Sequence, residues 1–129
     1  MYNEVFSELD ISKRVLKPRD HGLTVLIDRG IPLEYLDEYL KIYSDYIDLA
    51  KIITGTSVLL SKKDLYRKIG IYKKYDVIVF PGGMLFEYSY AKQKENNYFE
   101  AVRNAGFEWI EISNNRINIS VERKINWLD

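Results

Sequence analysis

The sequence predicts an α/β fold: a parallel (β/α) half-barrel of about four βα units. Three observations predict it. Four short, β-branched apolar runs alternate with stretches of helical apolar spacing, the pattern of βαβ units, whose strands must be parallel. The run ends carry Asp28, Lys51, Pro81 and Glu111, landmarks that recur at roughly the spacing of a (β/α)8 barrel, in which ~250 residues make eight units. The chain has 129 residues, room for four units in a single domain.

Residues 1–21 hold scattered apolar positions and then KPRDH. Pro18 disfavours helix at Lys17, so this segment is expected to be an arm leading into the first strand. GLTVLI, Gly22 to Ile27, is bounded by glycine and reads as a buried strand ending at Asp28-Arg29-Gly30. Pro32 lies near a helix start, where its missing N–H costs nothing, and Leu33, Leu36, Tyr39, Leu40 and Tyr43 follow at helical spacing. The second strand is expected over Tyr46 to Ile53, within DYIDLAKIITGTS. Two charges, Asp48 and Lys51, are set into this apolar run. An unpaired buried charge costs several kcal/mol, so each is expected to be paired or used. Their odd separation puts them on opposite faces of a strand, which argues against pairing with each other.

Ser61 is placed as an N-cap with Asp64 in the first turn of a helix running through LYRKIGIYKKY. VIVF, Val77 to Phe80, is the third strand, closed by Pro81-Gly82-Gly83. MLFEYSYAKQK then leads to a helix over roughly Asn96 to Ala105 that stops at Gly106. FEWIEI, Phe107 to Ile112, is the expected fourth strand, followed by Ser113-Asn114-Asn115. Near the end, Ser120 and Glu122 are placed like a helix start, with Ile125 and Leu128 apolar behind them.

Composition narrows the function classes. The formal net charge is zero and no basic face stands out, so nucleic acid is not an expected partner. There are no cysteines, which removes disulfides and thiolate metal sites and fits a reducing compartment. The start, MYNEVFSELDISKR, is acidic and lacks the apolar run of a signal peptide. No apolar stretch approaches the ~18–20 residues of a membrane span. A soluble, cytoplasmic protein with no membrane partner is expected.

The chemistry-bearing residues fall at or just past the carboxyl ends of the strands, where parallel sheets and barrels place ligand sites. They are Asp28, Lys51, Gly55-Thr56-Ser57, Pro81-Gly82-Gly83, Glu87 and Glu111-Ile112-Ser113. Asp28 and Glu111 are oxygen donors of the kind Mg²⁺ prefers. A desolvated Lys51 suits a proton donor, a base or an anion ligand. Plainer readings stand beside these. Asp28 before a glycine is also a common turn residue, and Pro-Gly-Gly also makes a tight strand exit. Gly-Thr-Ser lacks the length and lysine of a phosphate loop. His21 reads as a loop residue, and Tyr43, Tyr46, Tyr66 and Tyr72 as core and interface filler.

Taken together, KPRDHGLTVLIDRG, DYIDLAKIITGTS, FPGGMLFE and GFEWIEIS, in this order and spacing, resemble the phosphosulfolactate synthase family from about Lys17 to Glu122. The resemblance implies a TIM-barrel lyase of coenzyme M biosynthesis that adds sulfite to phosphoenolpyruvate, assisted by Mg²⁺, to give (2R)-phosphosulfolactate. It also implies site residues: Lys51 and Glu87 as catalytic groups, Arg19, Thr56, Ser57, Gly82 and Gly83 on the substrates, and Asp28 and Glu111 on the metal. This chain departs from the family pattern at Ile53-Thr54, Met84 and Asn114-Asn115. It also departs in length, since an eight-unit barrel needs ~250 residues. Half a barrel leaves its outer strands as open edges and exposes an apolar inner face. Two copies are therefore expected to associate, or a second polypeptide to supply the other half.

Overall fold

In a computed structural model, which describes residues 4–128, three short apolar runs form one parallel sheet. They are β1 (Val25–Asp28), β2 (Leu49–Ile52) and β3 (Ile78–Pro81), adjacent in that order. Helix α1 (Leu33–Tyr43) links β1 to β2, and α2 (Thr56–Leu59) and α3 (Lys62–Lys74) link β2 to β3. Three more follow: α4 (Gly83–Ala91), α5 (Glu95–Ala105) and α6 (Val121–Asn126).

Two of the helices, α3 and α6, begin on side-chain caps. Ser61 accepts a hydrogen bond from the Asp64 amide at 3.1 Å, and Ser120 accepts one from the Arg123 amide at 3.2 Å, each satisfying a donor that the first turn leaves open. Pro32 caps α1, and Gly106 closes α5 at φ +92°, a conformation that only glycine adopts without strain.

Register fixes what each face carries. Val25, Leu49 and Ile78 stand abreast, as do Ile27, Lys51 and Phe80, and alternation places these six on one face. Leu26, Ala50 and Val79, with Asp28, Ile52 and Pro81, take the other. The second face is sealed by α1 and α3, with Leu36, Leu40, Ile69 and Tyr72 packed into one core with Ala50, Ile52 and Val79. The first face is the inner wall of a barrel that does not close, and Val25 and Ile27 remain 42% and 43% exposed on it. A second cluster joins the later helices around Phe86, which packs edge-on to Trp127 at 5.4 Å and stacks on Phe99 at 5.9 Å.

The sheet departs from the expected four strands. Among the described residues it has three, and residues 107–113 form no ladder with β3. The segment keeps a strand's two-sidedness. Ile110 and Ile112 pack into the Phe86 cluster, while Trp109 borders a cavity with Leu49 and Ile78 and Glu111 reaches Lys51; Phe107, ahead of this alternation, packs against both cores. Alternation is a local property and survives, whereas the ladder needs a neighbouring backbone in register. The anchoring of this segment to α4 and α5 takes precedence over the single row of hydrogen bonds that an outer parallel strand gains.

The amino-terminal arm crosses the amino ends of all three strands. Arg14 bonds Thr24 Oγ1 at 2.6 Å and the Tyr46 carbonyl at 3.0 Å. Lys17 reaches the Ser44 and Tyr75 carbonyls, each at 3.2 Å. Arg19 holds Asp48 at 2.8 Å, and Arg14 meets the same carboxylate at 3.2 Å. Burial works to raise the Asp48 carboxyl, but the Thr24 amide and the two guanidinium groups outweigh it and hold it below its ordinary range. No helix among the described residues is long and apolar enough to cross a membrane.

Candidate active site

Lys51 stands on the inner face of β2, one residue from its carboxyl end, and its ammonium meets Glu111 Oε2 at 2.7 Å and Oε1 at 2.9 Å. The Gly83 amide, at the start of α4, donates to the same Oε2 at 2.6 Å. Around these groups lies a cavity of about 160 Å³ lined by Lys51, Thr54, Gly82, Gly83, Glu111 and Ser113, among others. Close approach demands glycine at 83 and leaves little room for a side chain at 82. A Cβ on Gly82 would lie 3.1 Å from Lys51 Cε, and one on Gly83 would lie 2.6 Å from Ser113 Cβ. Thr54 enters the cavity wall with φ +53°, a left-handed conformation that is costly for a β-branched residue and typical of strained functional turns.

The strand-end reasoning thus brings Lys51, Gly82, Gly83 and Glu111 together. The other expected site residues lie elsewhere. Asp28 stands opposite Ile52 in the register, one position past Ile27, so its side chain points to the helix side of the sheet. There it is fully buried: Oδ2 receives the Lys68 ammonium at 2.6 Å and the Tyr72 hydroxyl at 2.8 Å, and Oδ1 receives the Gly30 and Ile31 amides, each at 2.8 Å. Burial pushes this carboxyl upward, but those four donors overcome it and keep it ionised, below its ordinary range. Arg19 is committed to Asp48 at the opposite, amino end. The Thr56 hydroxyl returns to the Ile53 carbonyl. Ser57 is buried, with no hydrogen-bond partner for its hydroxyl among the described residues, and it lines a separate apolar cavity with Pro81, Leu85 and Val102.

Glu87 follows Gly83 by one helical turn, so both face the segment after α5. Its buried carboxylate accepts from the Ser113 hydroxyl, from the Asn115 amide at 2.9 Å and from the Arg116 amide at 2.8 Å. Burial raises this carboxyl too, and the same donors more than offset it, holding it low. Glu87 therefore fixes the loop behind the cavity rather than lining the cavity itself.

Two residues that the sequence reasoning missed matter here. Lys68 is buried because it shares the apolar stripe of α3 with Leu65 and Tyr72. That spacing, three before and four after, was the available signal. Tyr98 keeps a buried hydroxyl with no hydrogen-bond partner among the described residues, and burial together with the nearby Glu111 charge raises its pKa.

The ligands expected for Mg²⁺ do not converge. Asp28 has both oxygens in use on the far face, Glu111 is neutralised by Lys51, and no three acidic or histidine side chains gather among the described residues. What the cavity does offer is an ammonium and a backbone amide aimed at a single carboxylate.

Comparison with known proteins agrees with the motifs. Residues 12–129 match the family model described as (2R)-phospho-3-sulfolactate synthase (ComA). The phosphosulfolactate synthase of Methanocaldococcus jannaschii is 41% identical over 105 residues, covering 81% of this chain and 42% of the relative. That of Bacillus subtilis is 38% identical over 120 residues, covering 93% of this chain and 47% of the relative. The Methanothermobacter thermautotrophicus protein of the same name is 35% identical over 113 residues, covering 88% and 44%. The chain thus spans less than half the length of these curated relatives, and within that span it belongs to the phosphosulfolactate synthase family.

Proposed function

We propose that the Lys51 cavity is part of the active site of a phosphosulfolactate synthase, taking phosphoenolpyruvate and sulfite. The observation that carries this is the convergence of the Lys51 ammonium and the Gly83 amide on one carboxylate, at the carboxyl end of a parallel sheet, where barrels place their chemistry. In the reaction the sulfur lone pair of sulfite forms a bond to the methylene carbon of phosphoenolpyruvate. The π electrons move to C2 and spread into the adjacent carboxylate, and a proton then adds at C2. No oxidant or reductant is needed. Negative charge develops on the substrate carboxylate, and an ammonium held beside it in a sheltered site lowers that barrier. Lys51 is the one ammonium lining the cavity among the described residues and is also this chain's candidate for the acid that protonates C2.

Mg²⁺ is not assigned to Asp28 and Glu111, and no step is written through it. The rest of the barrel wall is proposed to come from further βα units, whether continuous with these or supplied by a second copy of the chain. A second reading, a half-barrel that binds anions without turning them over, is favoured by the pairing of Glu111 with the one ammonium that lines the cavity among the described residues. Loss of phosphoenolpyruvate in the presence of sulfite, followed with and without Mg²⁺ beside a full-length relative, separates the two. Turnover that disappears in Lys51→Ala supports the enzyme. Turnover by the relative alone favours the binding protein. Light scattering on the same samples reads the assembly.

A further inference from the structure

The Lys51–Glu111 contact differs from an ordinary surface ion pair. Both carboxylate oxygens lie within 2.9 Å of Lys51 Nζ, and one of them also takes the Gly83 amide at 2.6 Å. A planar, two-oxygen anion therefore already occupies the donors that the proposed function gives to the substrate. We propose that Glu111 is an internal stand-in for the substrate carboxylate, and that a small carboxylic acid binds by displacing it. This rests on the function proposed above and adds which end of the substrate these donors hold.

Three features favour exchange over simple addition. With Glu111 in place, Lys51 is neutralised, and a second anion beside the pair would leave net negative charge with no further cation lining the cavity. Glu111 can leave at small cost: its side chain is 35% exposed and can swing away by its own torsions while Ile110 and Ile112 keep the backbone anchored. A partly exposed pair of this kind contributes little to stability. The donor set also suits a carboxylate better than a phosphate. One ammonium and one amide match two coplanar oxygens, whereas a phosphate dianion presents three oxygens around a tetrahedral centre and draws on more donors. The phosphate of phosphoenolpyruvate accordingly lies away from Lys51 and Gly83.

The test uses the ¹⁵N- and ¹³C-labelled chain, titrated with pyruvate, phosphoenolpyruvate and inorganic phosphate. Expected are shifts of the Gly83 amide with pyruvate and phosphoenolpyruvate but not with phosphate. The Glu111 carboxylate resonance should move toward that of a free glutamate at saturation, and Glu111→Gln should bind pyruvate more tightly by on the order of tenfold. Equal affinities in the two proteins, a static Glu111 resonance in the wild type, or a Gly83 amide that follows phosphate would each overturn the exchange. The Glu111 resonance is read in the unmodified chain, so the result stands even if the variant folds poorly. Binding by exchange without sulfite addition overturns the enzymatic function alone, and absence of any binding overturns both.

Discussion

Two lysine–carboxylate pairs lie at the carboxyl ends of neighbouring strands, and they divide the labour of this molecule. Asp28 and Lys68 meet at 2.6 Å with side chains 0% and 1% exposed, and Glu111 and Lys51 meet at 2.7 Å with 35% and 28% exposed. The distances hardly differ. The surroundings do: the Asp28 carboxylate is saturated by four donors under α1 and α3, whereas Glu111 borders an open cavity on a segment outside the sheet. A buried pair costs desolvation and is broken only at a penalty, because the surviving charge is left uncompensated, while a partly exposed pair is weakly held and free to exchange. An acid at a strand end is thus sealed in the core or set beside the cavity according to the face it points to.

The contrast breaks first at Asp28. Asp28→Ala strands the Lys68 charge, and denaturant melts should show a loss of about 3–5 kcal/mol, largely recovered by adding Lys68→Met. A loss below about 1 kcal/mol would show that the pair does not support the fold and would return Asp28 to the candidate ligands. Gly83→Ala comes next. Its methyl group must push Ser113 away, with an expected cost of about 1–3 kcal/mol and faster hydrogen exchange at residues 115 and 116, the amides held by Glu87.

Acid should act through the saturated carboxylates. Asp28, Asp48 and Glu87 all have lowered pKa values in the folded chain. Their contribution is therefore fully present above the ordinary values of 3.8 and 4.5 and is lost as pH falls below them, through the folded values. Glu87→Gln should flatten the acid limb of a stability–pH curve, and an unchanged limb would remove Glu87 from that account. The smallest effect is expected at Lys51→Met. Stability should change by less than about 1 kcal/mol, while pyruvate binding at the Gly83 amide is lost.

Much of this was legible from local chemistry. Pro32, Ser61 and Ser120 mark helix starts because caps act within one turn, and the three strands are centred where the β-branched runs are. The candidate site was legible as far as the strand-end rule reaches, in that Lys51, Gly82, Gly83 and Glu111 share one cavity. That rule does not say which face a residue takes. A shift of one position reverses it, and Asp28 lies one past Ile27, which pairs with Lys51 in the register. Arg19 was misplaced for another reason: the arm's course is set by Asp48 and by the Asp45 carbonyl, both distant in sequence. The missing fourth strand has the same root, since FEWIEI encodes alternation but not the neighbour it would pair with.

The arm that crosses the amino ends of β1, β2 and β3 has a consequence for redesign. With Arg14, Lys17 and Arg19 tied to residues 24, 44, 46, 48 and 75, the floor of the vessel is laid before its walls are complete. The Lys51 cavity, bordered by Thr54 and Asn115, lies at the opposite end of the sheet, so the arm can be altered without touching the cavity lining.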